Sequence, residues 1–234
     1  MPDPTLIDTG TVPLEQTVLE LGPAERSTRA TADAEEVLFV LSGRGSLSGG
    51  EAGADHNLEP ESGVSLPPGT AYELANTGDE ALRMISVRIP EPVAAPSDTQ
   101  SAVSVRHLAE QEARAATSDR EFRIVGDPEH GGLRSATHFV GYIPTKKAPF
   151  HFHTYDEVIY VLDGEGTFHA GDTHEALRPG SRITLPARTV HCLENTGSKV
   201  MRVVAVFRPA GSPAAAYYPD GTPAYAGTPP LTVS

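Results

Sequence analysis

The sequence predicts an all-β chain in two related halves, and three observations lead there. Its 234 residues exceed the size of one small β-domain and can bury a sizeable core in two. Twenty-two glycines and 21 prolines indicate many short strands separated by turns. The third observation is an internal repeat. Glu36-Val-Leu-Phe-Val-Leu-Ser-Gly43-Arg-Gly45 returns as Glu157-Val-Ile-Tyr-Val-Leu-Asp-Gly164-Glu-Gly166. Leu66-Pro67 through Asn76-Thr77-Gly78 returns as Leu185-Pro186 through Asn195-Thr196-Gly197.

Taken in order, residues 1–92 hold the first copy. Residues 93–120 form a connection: the proline-rich run from Glu91 to Asp98 reads as a linker, and Leu108 to Ala116 has the composition of one short helix. Residues 121–210 hold the second copy. The tail from Gly211 to Ser234 is rich in Pro, Ala, Gly and Tyr and has no usable periodicity, so it is expected to pack across the other half or to fray.

The second copy contains His151-Phe152-His153 and, four residues on, Glu157; His191 follows after a strand and a turn. Alternate side chains of an extended strand share a face, so His151 and His153 can present two imidazoles to one point. His191 and Glu157 complete a set of four metal-ligand types. Imidazole suits Fe, Ni, Cu and Zn, carboxylate oxygen extends the range to Mn, and four such ligands leave coordination positions open for a substrate. One divalent transition metal per chain is expected, held by His151, His153, Glu157 and His191, with Glu157 also able to act as general base.

The spacing of His151, His153, Glu157 and Gly164 resembles the first motif of the cupin superfamily. Gly180, Pro186, His191 and Asn195 resemble the second, with one departure: Arg188 stands where family members usually have glycine. The resemblance implies two cupin barrels, each a double-stranded β-helix related to the jelly roll, with ligand sites inside the barrel mouth. It further implies kinship with cupin dioxygenases acting on enolisable or aromatic substrates and with oxalate-type decarboxylases. The leading expectation is therefore a metal-dependent oxidoreductase, a dioxygenase, acting on a small enolisable, aromatic or carboxylate substrate. A non-redox isomerase, cyclase, lyase or hydrolase, and a non-catalytic small-molecule-binding cupin, stay open beside it. Cupin barrels commonly pair through an exposed sheet, so a homodimer is expected.

The two copies differ in chemistry. Aligning Glu36 with Glu157 puts Ala30 and Ala32 where His151 and His153 stand, and Tyr72 at the place of His191. A lone carboxylate does not hold a transition metal against water, so the first barrel is expected to be a degenerate copy kept for packing, with a second small-ligand pocket using Tyr72 and Glu36 as the alternative.

Several neighbours receive plainer roles. Asn195 and Gly164 read as turn and strand-end residues. Ile159 and Val161 share the strand parity of Glu157 and are expected on a pocket wall, whereas Phe139 and Tyr142 are assigned to core packing. Cys192 should face away from His191 and be buried. His169 and His174 flank the turn signal Gly171-Asp172 and read as solvated loop residues. Lys146 and Lys147 are assigned to a solvated turn, and Arg188 is a weaker candidate for clamping a carboxylate.

The formal net charge of −13 excludes a phosphate-backbone partner, since nucleic-acid affinity rests on basic patches, and disfavours anionic membrane surfaces. No apolar run is long enough to span a bilayer, and Met1-Pro-Asp-Pro-Thr5 lacks the basic start and apolar core of a signal peptide. One cysteine cannot form an intrachain disulfide. A cytoplasmic protein with a small-molecule substrate is the resulting expectation.

Overall fold

The computed structural model describes residues 5–50, 54–92 and 102–231. Among them there is no α-helix; short strands and two 3-10 turns account for the regular structure. The chain divides into two compact units, one of residues 13–111 with 124–138, the other of the remaining residues.

In the first unit a five-stranded antiparallel sheet runs in the order Ser104–His107, Ser62–Leu66, Glu35–Ser42, Leu82–Ile89, Glu15–Leu21. A four-stranded sheet follows the order Arg26–Ala30, Ala71–Asn76, Gly45–Gly49, Ala54–Leu58. Their alternating apolar residues, among them Leu38, Val40, Leu47, Val64, Leu74 and Met84, form one buried core. The second unit holds a three-stranded sheet, Thr173–Leu177, Gly166–Ala170, Cys192–Asn195, and most of a seven-stranded one. The latter runs Leu6–Asp8, Arg182–Leu185, Asp156–Asp163, Met201–Arg208, Thr137–Ile143, Glu121–Gly126, Arg114–Ala115.

The repeat in the sequence is a repeat of backbone detail. Asp156–Asp163 pairs with Met201–Arg208 through a register shift between Val161 and Asp163, and Glu35–Ser42 pairs with Leu82–Ile89 through the same shift between Val40 and Ser42. Each shift ends at a glycine that must be one. Gly164 has φ 87° and a Cβ there would lie 2.7 Å from the Met201 Cα; Gly43 has φ 82° and would meet the Ala81 carbonyl at 2.5 Å. Asn195 caps the next turn, donating to the carbonyls of Ile143 and Lys199 and accepting from the Gly197 N–H, and Asn76 does the same with Leu21, Glu80 and Gly78.

The boundaries differ from those read in the sequence at three places. Leu6–Asp8 does not join the first barrel; it pairs in parallel with Arg182–Thr184 in the second unit and buries Ile7, covering an otherwise open strand edge. The helix expected over Leu108 to Ala116 is a 3-10 turn, Leu108–Glu110, followed by the strand pair of Arg114–Ala115 with Glu121 and Phe122. Leu108 is the one apolar residue buried in that stretch, so a helix would have no apolar face to dock. Residues 93–98 of the expected linker lie outside the described residues. The tail, as far as Leu231, neither frays nor crosses to the other barrel: Phe152 and Tyr217 exchange backbone hydrogen bonds of 2.9 and 3.0 Å and stack their rings, within the second unit.

Candidate metal centre

His151 and His191 face each other across an isolated antiparallel bridge, each N–H donating to the other's carbonyl at 3.0 and 2.8 Å. Directly opposed residues of an antiparallel pair project to the same side, which puts both rings over one point. His153 joins them by alternation. Ring centroids lie 4.6 Å apart for His151 and His191, 5.0 Å for His151 and His153, and 5.4 Å for His153 and His191. Ligand-type nitrogens of the three come within 4.8 Å of one another, and among the described residues no other group of three metal-ligand residues does so.

The turn that delivers His191 is the one where glycine is missing. Arg188 takes the left-handed conformation itself, φ 66°, and its N–H donates to the His153 carbonyl at 2.7 Å. Gly69, φ 79°, occupies the same place in the first unit and donates to the Ala32 carbonyl. The turn is thus shared by the copies although its usual residue is not, at a strain of about 1 kcal/mol.

Each imidazole is oriented by its Nδ1. His151 Nδ1 lies 3.0 Å from the Pro149 carbonyl, His153 Nδ1 2.7 Å from that of Ala215, and His191 Nδ1 2.9 Å from that of Thr189. A carbonyl oxygen only accepts, so Nδ1 bears the proton in all three and the Nε2 lone pairs are left free. Burial pushes the His151 pKa down to about 4 and that of His153 to about 3, and holds His191 well below its ordinary value, with the proximity of the other histidines adding to the effect for the last two. Three neutral donors at neutral pH suit a divalent transition metal.

Glu157, between Leu185 and Phe207 in the sheet, is buried and lines the same pocket as the triad. Burial raises its carboxyl to about 8, so the group carries a proton at neutral pH while nothing positive is bound beside it. It is not part of the close nitrogen cluster. Tyr155 stacks on His153 with ring centroids 4.6 Å apart and on Phe207 at 3.8 Å, fixing the His153 ring from its face.

The pocket holds about 610 Å³ of space, counting the part open to solvent. Ile159 is on its wall as expected, and so are Phe139 and Tyr142, which the sequence assigns to the core; Val161 is fully buried and not on the wall. Cys192 faces away and donates to the Ala148 carbonyl. His169 and His174 are strand residues paired across the hairpin, not loop residues; His174 is exposed, as expected, and His169 is not. His169 is buried on the outer side of the three-stranded sheet, between His174 and the Glu194 carboxylate at 2.8 Å. Lys146 pairs with Asp119, Lys147 lies 3.9 Å from Glu194 and over the Phe150 ring, and Arg188 is not among the lining residues. Three participants have no signal in the sequence: the Ala215 carbonyl, the Tyr155 stack, and Arg120, which lines the pocket.

The corresponding place in the first unit is filled by protein. Glu36 accepts from Ser86 Oγ at 2.6 Å and Tyr72 OH at 2.9 Å, with Arg29 and Arg88 at 3.4 and 3.8 Å. Arg29 pairs in register with Tyr72 as His151 does with His191, so Arg29, not Ala30, stands in the place of the first histidine. One extra residue between Arg29 and Ala32 accounts for the offset from the ungapped alignment.

Comparison with known proteins agrees with this architecture. The cupin domain profile matches the chain twice, over residues 17–88 and 138–207. Auxin-binding protein 1 of Arabidopsis thaliana is 28% identical over 93 residues; the match takes in 36% of this chain and 46% of that one, so the chain spans less than half of that relative's length. Among solved structures, a protein described as glyoxylate-induced from Pseudomonas aeruginosa superposes with a TM-score of 0.70 at 20% identity, over 82% of this chain and 73% of that one. AerE from Microcystis aeruginosa gives 0.69 at 12% identity, over 84% and 88%. A variant of Bacillus subtilis oxalate decarboxylase gives 0.69 at 12% identity, over 89% and 71%. At these identities the structures speak to fold. With both halves matched by the profile and the same bulge, glycine and asparagine cap in each, the chain belongs to the cupin family and carries two copies of its domain.

Proposed function

We propose that the second barrel is the active site of a metal-dependent oxidoreductase, a dioxygenase acting on a small enolisable, aromatic or carboxylate substrate. The observation behind this is the triad of imidazoles whose Nδ1 atoms all bond to backbone carbonyls, which leaves three Nε2 donors converging in an apolar pocket. His151, His153 and His191 would hold the ion, with Glu157 as the fourth ligand. Iron, manganese, nickel or copper bound there supplies electron transfer and Lewis acidity beside the substrate. Bacillus subtilis oxalate decarboxylase, similar to this chain in fold, has Mn(II) centres, which makes manganese one natural first trial.

The chain's own residues would do the rest. The apolar wall, with Phe139, Ile159 and Val203, keeps bulk water from the reacting atoms. Released from the ion as a carboxylate, Glu157 can take a proton from an enolisable carbon or hydroxyl at its Oε and return it later, burial having raised its affinity for that proton. Tyr155 keeps the His153 ring in place through such a cycle.

Oxygen-electrode screening of the iron-, manganese-, nickel- and copper-loaded protein against enols, catechols and keto acids tests the proposal. Turnover with stoichiometric O2 uptake is expected. Turnover unchanged without O2, or zinc as the sole native metal, would replace it by Lewis-acid chemistry of an isomerase, lyase or hydrolase. A homodimer is part of the same proposal, and light scattering showing a monomer at micromolar concentration would remove that part.

A further inference from the structure

We propose that Arg120 is the carboxylate-reading residue of the second barrel's pocket, and that the molecule it admits is a small monocarboxylic acid with an apolar body. The inference rests on the pocket being the substrate site, as proposed above, and adds the class of substrate.

Arg120 ends a tight turn between the strands Arg114–Ala115 and Glu121–Gly126. Ser118 and Asp119 within it both adopt left-handed conformations, φ 61° and 56°, and the Ala116 N–H closes it on the Arg120 carbonyl at 2.8 Å. Backbone held this way persists where surrounding contacts enforce it, and the Asp119 carboxylate is tied to Lys146. The result is a guanidinium on the pocket wall, with its charge close enough to oppose protonation of His151, His153 and His191.

What that guanidinium lacks is an anion. It donates Nη2–H to the Leu193 carbonyl at 2.6 Å, and no carboxylate pairs with it among the described residues. Five N–H groups in a planar fork are therefore mostly unclaimed. Burial lowers its pKa, yet a guanidinium stays charged at any working pH. A half-buried cation with no counter-ion in a largely apolar wall favours a ligand that brings one, and a carboxylate fits the fork with two parallel hydrogen bonds.

The remainder of the wall defines the body of that ligand. Phe122, Phe139, Ile159, Leu193 and Val203 offer apolar surface, and the neighbouring lysines are already committed to Asp119 and Glu194. Glu121, beside Arg120 on the wall, repels a second carboxylate at that end.

Isothermal titration of the full chain with 3-phenylpropanoate and its neutral isostere 3-phenylpropanamide tests the assignment, on zinc-loaded and on chelator-stripped protein. The wild type is expected to prefer the acid by about 10- to 100-fold in both states, the range of a charge-assisted pair. In the chelator-stripped protein, where no ion can take the carboxylate, Arg120→Gln should bring acid and amide to within about 3-fold of each other. Arg120→Lys, which keeps the charge and loses the fork, should fall between. If the glutamine variant does not fold, the lysine variant decides, and an undiminished preference in it overturns the assignment. So do equal affinities for acid and amide in the wild type, a preference that survives Arg120→Gln in the chelator-stripped protein, or no measurable binding of the acid at millimolar concentration. Because turnover is not read, absent O2 uptake would count against the proposed reaction and leave this result standing.

Discussion

Replacing Glu36 by Gln should destabilise the first unit while leaving the metal content of the protein unchanged. The Glu36 side chain is fully buried and takes hydrogen bonds from Ser86 at 2.6 Å and Tyr72 at 2.9 Å, with two guanidinium groups at 3.4 and 3.8 Å. Removing one partner of a fully buried ion pair costs about 3–5 kcal/mol. Arg29 and Arg88 each keep 28% of their side-chain surface exposed, so water screens part of the loss and about 2–3 kcal/mol is the better expectation. The amide can still accept at its one oxygen from Ser86 or Tyr72 and donate its NH2 to the other hydroxyl, which guards against a larger effect. Urea denaturation followed by circular dichroism, with elemental analysis of the same preparations, measures both quantities. A variant as stable as wild type to within about 0.5 kcal/mol, or one that loses metal, would refute the view that Glu36 has become a packing carboxylate.

Two further outcomes are expected. His138, edge-on to Phe39 in the first unit, is buried with no partner for Nδ1 among the described residues, and burial pushes its pKa from the ordinary 6.5 to about 3. Its depressed value means that stability is intact above pH 6.5 and falls as pH drops toward 3, because the unfolded chain takes up the proton first; each pH unit in that window costs about 1.4 kcal/mol. His138→Phe should therefore lose about 2 kcal/mol less than wild type between pH 6.5 and 5 in urea titrations, and parallel losses in the two proteins would count against it. Deleting residues 211–234 removes the Ala215 carbonyl that orients His153, so metal affinity measured by competition with a chelator should weaken by about 10- to 100-fold. Unaltered affinity would show that this carbonyl is dispensable.

The parts of this molecule that are legible in sequence are those governed by local rules. Strand alternation places His151 and His153 on one face, the repeat makes Glu36 the equivalent of Glu157, and Asn195 and Gly164 announce turns through residue types with few other uses. What stays hidden is set by contacts distant in sequence. The His153 acceptor lies 62 residues away in a stretch with no periodicity, and Arg120 meets Leu193 across 73 residues. The turn signal beside His169 fixes the hairpin and says nothing of the outer-face partner, Glu194, on another strand, so a loop assignment for His169 fails. Arg188 shows the reverse case: an unfavourable residue in a left-handed position held by a hydrogen bond to the His153 carbonyl.

Metal stoichiometry of the purified chain bears most directly on the central claim, that the duplicated barrels are chemically unequal and the second alone holds a metal. After saturation with manganese or zinc and removal of excess, elemental analysis should give one ion per chain for wild type and for Glu36→Gln, and well under one for His153→Ala, which removes one of the three close nitrogen donors. Two ions per chain in the wild type, or full occupancy in His153→Ala, would contradict the account.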